Sequence, residues 1–229
     1  MISKSLEHIK CDNCETRKNS LISILESKNL NQLEEARSCV LIKKGQPLFI
    51  EGATPRGVYC LNNGKVKIFT RGDEGKEQII HIAIGGEIVG FRAMFSGNPY
   101  VVTAETLEDS NVCFISKPDF LNLLDTNSEL RNEILKELSV ELAERASFVT
   151  DMAQKSVRER LAAVLLMLDE LYGDQMINLS REDLANYVGT ATETLIRLLT
   201  DFKNEEVIKT YVRKIEIIDS IKLADIAGI

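Results

Sequence analysis

Between Ser38 and Ser116 the apolar residues fall in short runs broken by glycine: Val40-Leu41-Ile42, Leu48-Phe49-Ile50, Val58 to Leu61, Val66 to Phe69, Gln78 to Ile82, Val101 to Ala104 and Val112 to Ile115. Runs this short and this evenly spaced predict the strands of a sandwich or barrel rather than of a parallel sheet. Asn63-Gly64 and Asp73-Glu74-Gly75 separate successive runs. Both predict hairpin turns in which Gly or Asn supplies a positive φ.

After Lys117-Pro118 the period changes. Pro118 suits a first helical turn, and the stretch from Asn127 to Met152 contains neither Gly nor Pro, which predicts one long helix. Within it Leu135, Leu138, Leu142, Val149 and Met152 recur at three- and four-residue steps, with Arg145 as the one polar intruder. That is a coiled-coil seam, on which the chain is expected to meet its own copy. The alternative is an amphipathic helix packed on its own barrel. Another helix runs from Ser156 to near Tyr172-Gly173. Ser180, with Asp183 three positions on, is a capping-box-like start. Gly189 marks a tight turn, Thr192 or a neighbour caps the next helix, and Leu195, Leu198 and Leu199 face inward on it. Two short helices joined in this way make a helix-turn-helix. Val207-Ile208, Tyr211 to Lys214 and Ile215 to Ile218 then predict a β-hairpin wing. The fold class is α+β in three parts: a β-barrel over residues 1–126, a long dimerisation helix over 127–153, and a winged helix-turn-helix over 154–229.

A chain of 229 residues suits two modest domains. With 44% hydrophobic and 28% charged residues it has the balance of an ordinary globular protein. The net charge of −7 excludes gross electrostatic capture of nucleic acid, so DNA binding needs a locally basic face and should weaken steeply with salt. Apolar runs stop well short of the roughly 20 residues of a membrane span, and the start of the chain has no basic-then-apolar export signal. A cytoplasmic protein is expected. Five cysteines without a secretion signal predict reduced thiols rather than a disulfide framework, with metal or redox use open. Cys39 and Cys60 fall on predicted strands and read as core. His8 and His81 make no metal-ligand or catalytic spacing with nearby acids, and read as a terminal surface residue and a strand residue. Cys11-Asp12-Asn13-Cys14 would suggest a thiol oxidoreductase only in a βαβ setting, which is absent from the pattern. The chain is not expected to be an enzyme.

The order of glycine-punctuated barrel, seam helix and winged helix resembles the Crp/Fnr superfamily of bacterial transcription regulators along nearly the whole chain. The most specific stretch is Thr192-Glu193-Thr194-Leu195-Ile196-Arg197-Leu198-Leu199, which is similar to the family's recognition helix. Glu193 and Arg197 are four residues apart, on one helix face, and both can reach base edges in one major groove; an ordinary surface ion pair has the same spacing. The resemblance implies that they read a G·C-containing core close to TGA in each half of an inverted repeat. It also implies that Arg181, Thr190 and Thr192 contact phosphates or flanking bases. Double-stranded DNA, a second copy of the chain and RNA polymerase are the implied partners. The rival is a cyclic-nucleotide-binding-like module that regulates a partner without touching DNA.

Gly90, Phe91, Arg92, Tyr100 and Val101 occupy the implied effector pocket. Cyclic-nucleotide binders of the family grip the phosphate with an Arg-Ser pair, and here Tyr100 and Val101 stand in its place, while Phe91 replaces the acid for the ribose hydroxyl. A buried phosphate without its cation is costly, so these departures argue against cyclic AMP. The stretch is closer to the oxygen-sensing, iron–sulfur branch, which holds a cluster with three N-terminal cysteines and one in the barrel. Cys11, Cys14 and Cys113 match three of those positions, and Ser20 stands at the fourth. The ligand set is incomplete: either a nonstandard ligand completes it, or the site is a relic.

Overall fold

The computed structural model describes residues 11–229, and His8 lies outside the described residues. Contacts divide the chain into two units, residues 1–70 with 80–140 and residues 71–79 with 141–229.

The first unit opens with three short 3₁₀ turns, Cys11–Asn13, Glu15–Asn19 and Leu21–Ile24, followed by helix α1 (Ser27–Ala36). Strands β1 (Arg37–Ile42), β2 (Pro47–Phe49), β3 (Gly57–Asn63), β4 (Lys65–Arg71), β5 (Glu77–Ile84) and β6 (Ile88–Val89) lead to helix α2 (Phe91–Ser96). Strands β7 (Thr103–Thr106) and β8 (Ser110–Ser116) close the barrel. They form two four-stranded sheets, β1-β8-β3-β6 and β2-β7-β4-β5, with every paired register antiparallel. Alternate side chains of both sheets point inward, and Leu48, Phe49, Leu61, Val66, Ile68, Val89, Tyr100 and Val112 fill the space between them.

The Asp73-Glu74-Gly75 turn joins β4 to its neighbour β5, with Gly75 at φ +76°. Asn63-Gly64 is not a hairpin turn, because β3 and β4 belong to different sheets and the turn carries the chain from one to the other. Gly64 is required there twice over: φ is +98°, and a Cβ would meet Ser110 Oγ at 2.1 Å. Val101 and Val102, expected in a strand, form a bend, and the strand begins at Thr103.

Helix α3 (Lys117–Thr126) starts on Ser116, whose Oγ accepts from the Asp119 amide, and Pro118 sits in its first turn. Helix α4 (Ser128–Gln154) follows. Leu130 and Ile134 of α4 are buried with Val58, Phe91, Ile115 and Phe120 in a second apolar cluster, against which Leu138 packs partly. Leu135, Leu142 and Val149, seven residues apart, are 57%, 73% and 65% exposed.

In the second unit helix α5 (Val157–Tyr172) begins with a complete capping box: Ser156 Oγ accepts from the Glu159 amide and the Glu159 carboxylate accepts from the Ser156 amide. Strand β9 (Ile177–Asn178), helix α6 (Arg181–Val188) and helix α7 (Thr192–Asn204) come next, then strands β10 (Ile208–Tyr211) and β11 (Lys214–Ile217) and helix α8 (Ser220–Ala227). The sheet order β10-β11-β9 makes the wing three-stranded, with Val212 fully exposed at its tip. Leu161, Leu165, Leu184, Leu195, Phe202, Ile215 and Leu223 are buried to the last few per cent, so every helix of this unit contributes to the core.

Candidate functional site

Helix α6 is capped as the sequence indicates, with Ser180 Oγ accepting from the Asp183 amide at 2.9 Å. The return bond goes from the Ser180 hydroxyl to the Asp183 carboxylate rather than from the Ser180 amide, so this is half a capping box. Gly189, at φ +74°, ends α6 in the left-handed conformation, and a Cβ there would meet the Met152 side chain at 2.6 Å. Ala191, which has no side-chain acceptor, is the N-cap of α7, and Thr192 is its first residue. Leu195 and Leu199 are buried and Leu198 is half-buried, which leaves Glu193, Ile196, Arg197 and Thr200 on one exposed face.

Of the residues expected to position this helix, Thr192 is half-buried and Thr190 is buried in the turn. Arg181 opens α6 with its Nη1 shielded from solvent and without a hydrogen-bond acceptor. Together with Lys203, Thr200 and Thr210 it lines a pocket of about 220 Å³ beside α7 and the wing. A shielded cation that lacks an acceptor is costly, and an anion oxygen placed in that pocket would relieve it.

The turn between α6 and α7 is held by a residue that sequence reasoning missed. Arg160 of α5 donates from Nε to the Val188 carbonyl (3.0 Å), from Nη2 to the Gly189 carbonyl (3.2 Å) and from Nη1 to the Lys155 carbonyl (2.7 Å). A guanidinium thus satisfies the open carbonyls at two helix ends, where the helix dipoles also favour a cation. Arg160→Ala is expected to destabilise the C-terminal unit by about 2–3 kcal/mol, seen as a lower denaturant midpoint. Arg160→Lys should recover only part of the loss, because one ammonium cannot reproduce a fork. An unchanged midpoint in Arg160→Ala would contradict this role.

In the barrel Tyr100 is buried and stacked on Phe49 with ring centroids 3.9 Å apart, and its hydroxyl reaches toward the Gly57 carbonyl at 3.5 Å. Burial pushes its phenol up to about 12, so it stays neutral. Gly90 is the N-cap of α2, and a Cβ there would lie 3.3 Å from the Tyr100 hydroxyl. Phe91 is buried, Arg92 is half-buried and Val101 is 72% exposed, so Val101 does not join Tyr100 inside. The Tyr100–Phe49 stack is part of the core between the two sheets, at the position where the resemblance implies a phosphate-gripping pair in nucleotide binders. Calorimetric titration is expected to show no specific binding of cyclic AMP at micromolar nucleotide, and tight binding would overturn that.

One pair of cysteines departs from the sequence expectation. Cys39 and Cys113 are directly opposite on β1 and β8 and are joined by a disulfide, although reduced thiols are expected from the composition. The reason lies in the register, which brings together residues 74 positions apart. Cys60 packs against the second apolar cluster, as the core reading expects, and also lines one pocket with Cys11, Cys14 and Cys113. The N-terminal segment is tied there by hydrogen bonds: the Cys11 amide donates to Glu34 (2.6 Å), Thr16 Oγ1 donates to the Asn62 carbonyl (2.9 Å), and Asn62 Nδ2 donates to Cys14 Sγ (3.0 Å). Arg37 Nη1 donates to both sulfurs of the disulfide, and its Nε donates to Glu34 (3.2 Å). Burial works against the Glu34 charge, but the bonds from Arg37 and Cys11 outweigh it and hold the carboxyl down to about 2. Burial pushes the Cys11 and Cys60 thiols up to about 12, which opposes a thiolate nucleophile. Among the described residues no three or more His, Cys, Asp or Glu side chains are grouped to hold a metal ion. His81 lies on β5, a strand residue as the sequence indicates, and bonds through Nε2 to Glu87 (2.6 Å), whose other oxygen accepts from the Ile84 amide, which locks the turn after β5.

Residues 39–127 match the cyclic nucleotide-binding domain family, and residues 159–226 match the Crp-like helix-turn-helix domain family. The chain is 29% identical to the fumarate and nitrate reduction regulatory protein of Vibrio cholerae, over 96% of this chain and 91% of that protein. It is 28% identical to the transcriptional activator protein Anr of Pseudomonas aeruginosa, over 98% and 95%. The structure of FixK2 from Bradyrhizobium japonicum superposes with a TM-score of 0.75 at 20% identity, over 83% of this chain and 96% of that one, a likeness of fold. The chain belongs to the Crp/Fnr superfamily. It is a DNA-binding transcription regulator, with a cyclic nucleotide-binding-type barrel and a C-terminal helix-turn-helix. Its likeness is to the Fnr-like branch. The match to the Crp-like helix-turn-helix domain spans α7, whose exposed face carries Glu193 and Arg197. Among the described residues no helix is long and apolar enough to cross a membrane.

Proposed function

We propose that the chain acts as a homodimer that reads an inverted repeat through Glu193 and Arg197 of α7, under control of a redox input at the cysteine-lined pocket of the barrel. The observation that carries the reading is the exposed Glu193-Ile196-Arg197 face on a helix whose opposite side is buried. Arg197 pairs with guanine O6 and N7 and Glu193 accepts from a cytosine amino group, within a half-site core close to TGA. Ile196, 49% exposed, touches a thymine methyl beside them. Arg181 and Lys203 hold the DNA backbone, which sets register without reading sequence. Residues 127–153 form the dimer interface, 1–126 the sensing barrel and 154–229 the DNA-binding part. RNA polymerase is the partner that the bound dimer addresses.

The names of the relatives, a fumarate and nitrate reduction regulator and Anr, support a redox input over a nucleotide. The cysteines present do not fit a ready iron–sulfur site: among the described residues no three His, Cys, Asp or Glu side chains are grouped to hold a metal ion, and Cys113 is bonded to Cys39, so the redox input is proposed without a cluster. Gel shifts across a salt series test the DNA reading. A duplex carrying the inverted repeat should shift at concentrations where a scrambled duplex does not, with affinity falling as salt rises. Absence of a shift at low salt in both the reduced and oxidised protein would favour the module that acts without DNA.

A further inference from the structure

We propose that the tip of the wing, Val212-Arg213, enters the minor groove outside each half-site and selects A·T base pairs there, so that the operator is read in two grooves. The inference rests on α7 being the helix in the major groove and adds a second reading element beside it.

Three observations carry it. The first is the turn itself, which is two residues long: Tyr211 pairs with Lys214 and leaves Val212 and Arg213 between them. Two-residue hairpin turns favour Gly, Asn or Asp, whose positive φ matches the twist of the strands. Among the described residues Glu206 is the one non-glycine with positive φ, so neither residue of this turn supplies it. Val212 is β-branched, has no polar atom to bond its own backbone, and is fully exposed, so it serves neither the turn nor a core. A local choice that works against the structure points to a demand from outside the chain. The second observation is charge. Residues 208–217 hold Lys209, Arg213 and Lys214 against Glu216, three cations to one acid and so a net +2, in a chain of net charge −7. Glu216 is turned back along the hairpin, where it accepts from the Tyr211 hydroxyl at 2.8 Å. Arg213 and Lys214 are exposed, and among the described residues no carboxylate is bonded to either. The tip is therefore an apolar point flanked by cations, which suits a groove walled by phosphates.

Placement is the third. Thr210 of β10 lines the pocket beside α7 together with Arg181 and Lys203, and with Ile196 and Thr200 of the reading face. A phosphate held there by Arg181 and Lys203 puts a DNA strand between α7 and the wing. With the major groove on the α7 side of that strand, the wing side is the minor groove. Val212 is two residues beyond Thr210, about 7 Å further along an extended chain, which carries the tip past the phosphate. A minor groove about 6 Å wide excludes a helix but admits a tight turn and an extended Arg side chain. A·T pairs narrow that groove and deepen its negative potential, whereas each G·C pair adds an amino group to its floor. The minor groove faces the protein roughly 5 base pairs from the centre of each core, on both sides. On the inner side two like-charged tips would meet at the two-fold axis, so the outer groove is the one each tip enters.

Fluorescence anisotropy of the full-length protein tests this on duplexes carrying the inverted TGA repeat, with outer flanks of A·T, G·C or inosine·C pairs. Inosine lacks the guanine amino group, so its pair with C resembles G·C in the major groove and A·T in the minor groove. Wild type should bind A·T and inosine·C flanks alike, and G·C flanks about tenfold more weakly. Arg213→Ala should bind all three alike while keeping its preference for the TGA core over a scrambled one. The flank series needs no variant, and Arg213 is exposed at a turn, so folding does not blur the result. Inosine·C flanks bound as weakly as G·C flanks would overturn the minor-groove contact. A wild type indifferent to its flanks, or Arg213→Ala with the flank preference intact, would overturn the role of the wing and leave the reading by α7 standing. A wild type that prefers neither the flanks nor the TGA core would remove that reading as well.

Discussion

Leu142→Glu combined with Val149→Glu is expected to convert the protein from dimer to monomer and to abolish operator binding at nanomolar protein. Leu135, Leu142 and Val149 lie seven residues apart on α4 and are more than half exposed, a pattern that costs nothing to a helix in water but is wasted there. Burying each side chain against a two-fold copy contributes roughly 1.5–3 kcal/mol. Replacing two of them sets four carboxylates into one interface, and unpaired buried charges are strongly destabilising. Without the dimer, each half-site must be bound alone, and the gain from linking two recognition helices is lost. The original seam is narrower than the pattern suggests: Leu138 packs partly on the barrel's second apolar cluster, and Met152 lies against Gly189, so both carry intrachain contacts. For that reason Leu142 and Val149 are the substitutions to make. Light scattering that finds wild type monomeric at micromolar concentration, or the double variant still dimeric, would contradict this role for α4.

The second large effect concerns readout. Arg197→Ala should cost about 1–3 kcal/mol per half-site, and so roughly 2–6 kcal/mol for a dimer on a full site, with selection relaxed at the guanine. Arg181→Ala should weaken all duplexes alike and flatten the salt slope, because it removes a phosphate contact. The two variants separate reading from holding. Arg197→Ala with an unchanged base preference would mean that this side chain grips only the backbone.

How much of this is legible in the sequence differs by element. The wing, the helix-turn-helix and the long helix are local: their caps, glycines and periodicity sit within a few residues of the structure they specify, as at Ser180, Gly189 and Gly173. Helix α2 and strands β6 and β9 are too short to show a period, and are fixed by what they pack on. Asn63-Gly64 has the composition of a hairpin turn and the conformation to match, but whether flanking strands pair depends on partners on β8 and β7 that lie 34 to 59 residues away. The same holds for the cysteines. Cys39 and Cys60 look like strand interior until the register puts both opposite Cys113. Arg160 gives no signal at all, since its acceptors are backbone carbonyls near residue 188 that any sequence would supply. The exposed Glu193-Arg197 face, by contrast, is readable because helical spacing alone places both residues together.

Binding-site selection from a pool of random duplexes tests the central claim most directly. The pool enriched by wild type should converge on an inverted repeat whose half-site centres lie about one helical turn, 34–36 Å, apart, as two α7 helices in successive major grooves require. Each half should keep a G·C-containing core close to TGA, and the pool enriched by Arg197→Ala should lose the guanine. A wild-type pool that shows no two-fold symmetric sequence, or that is identical to the pool from Arg197→Ala, would contradict the account.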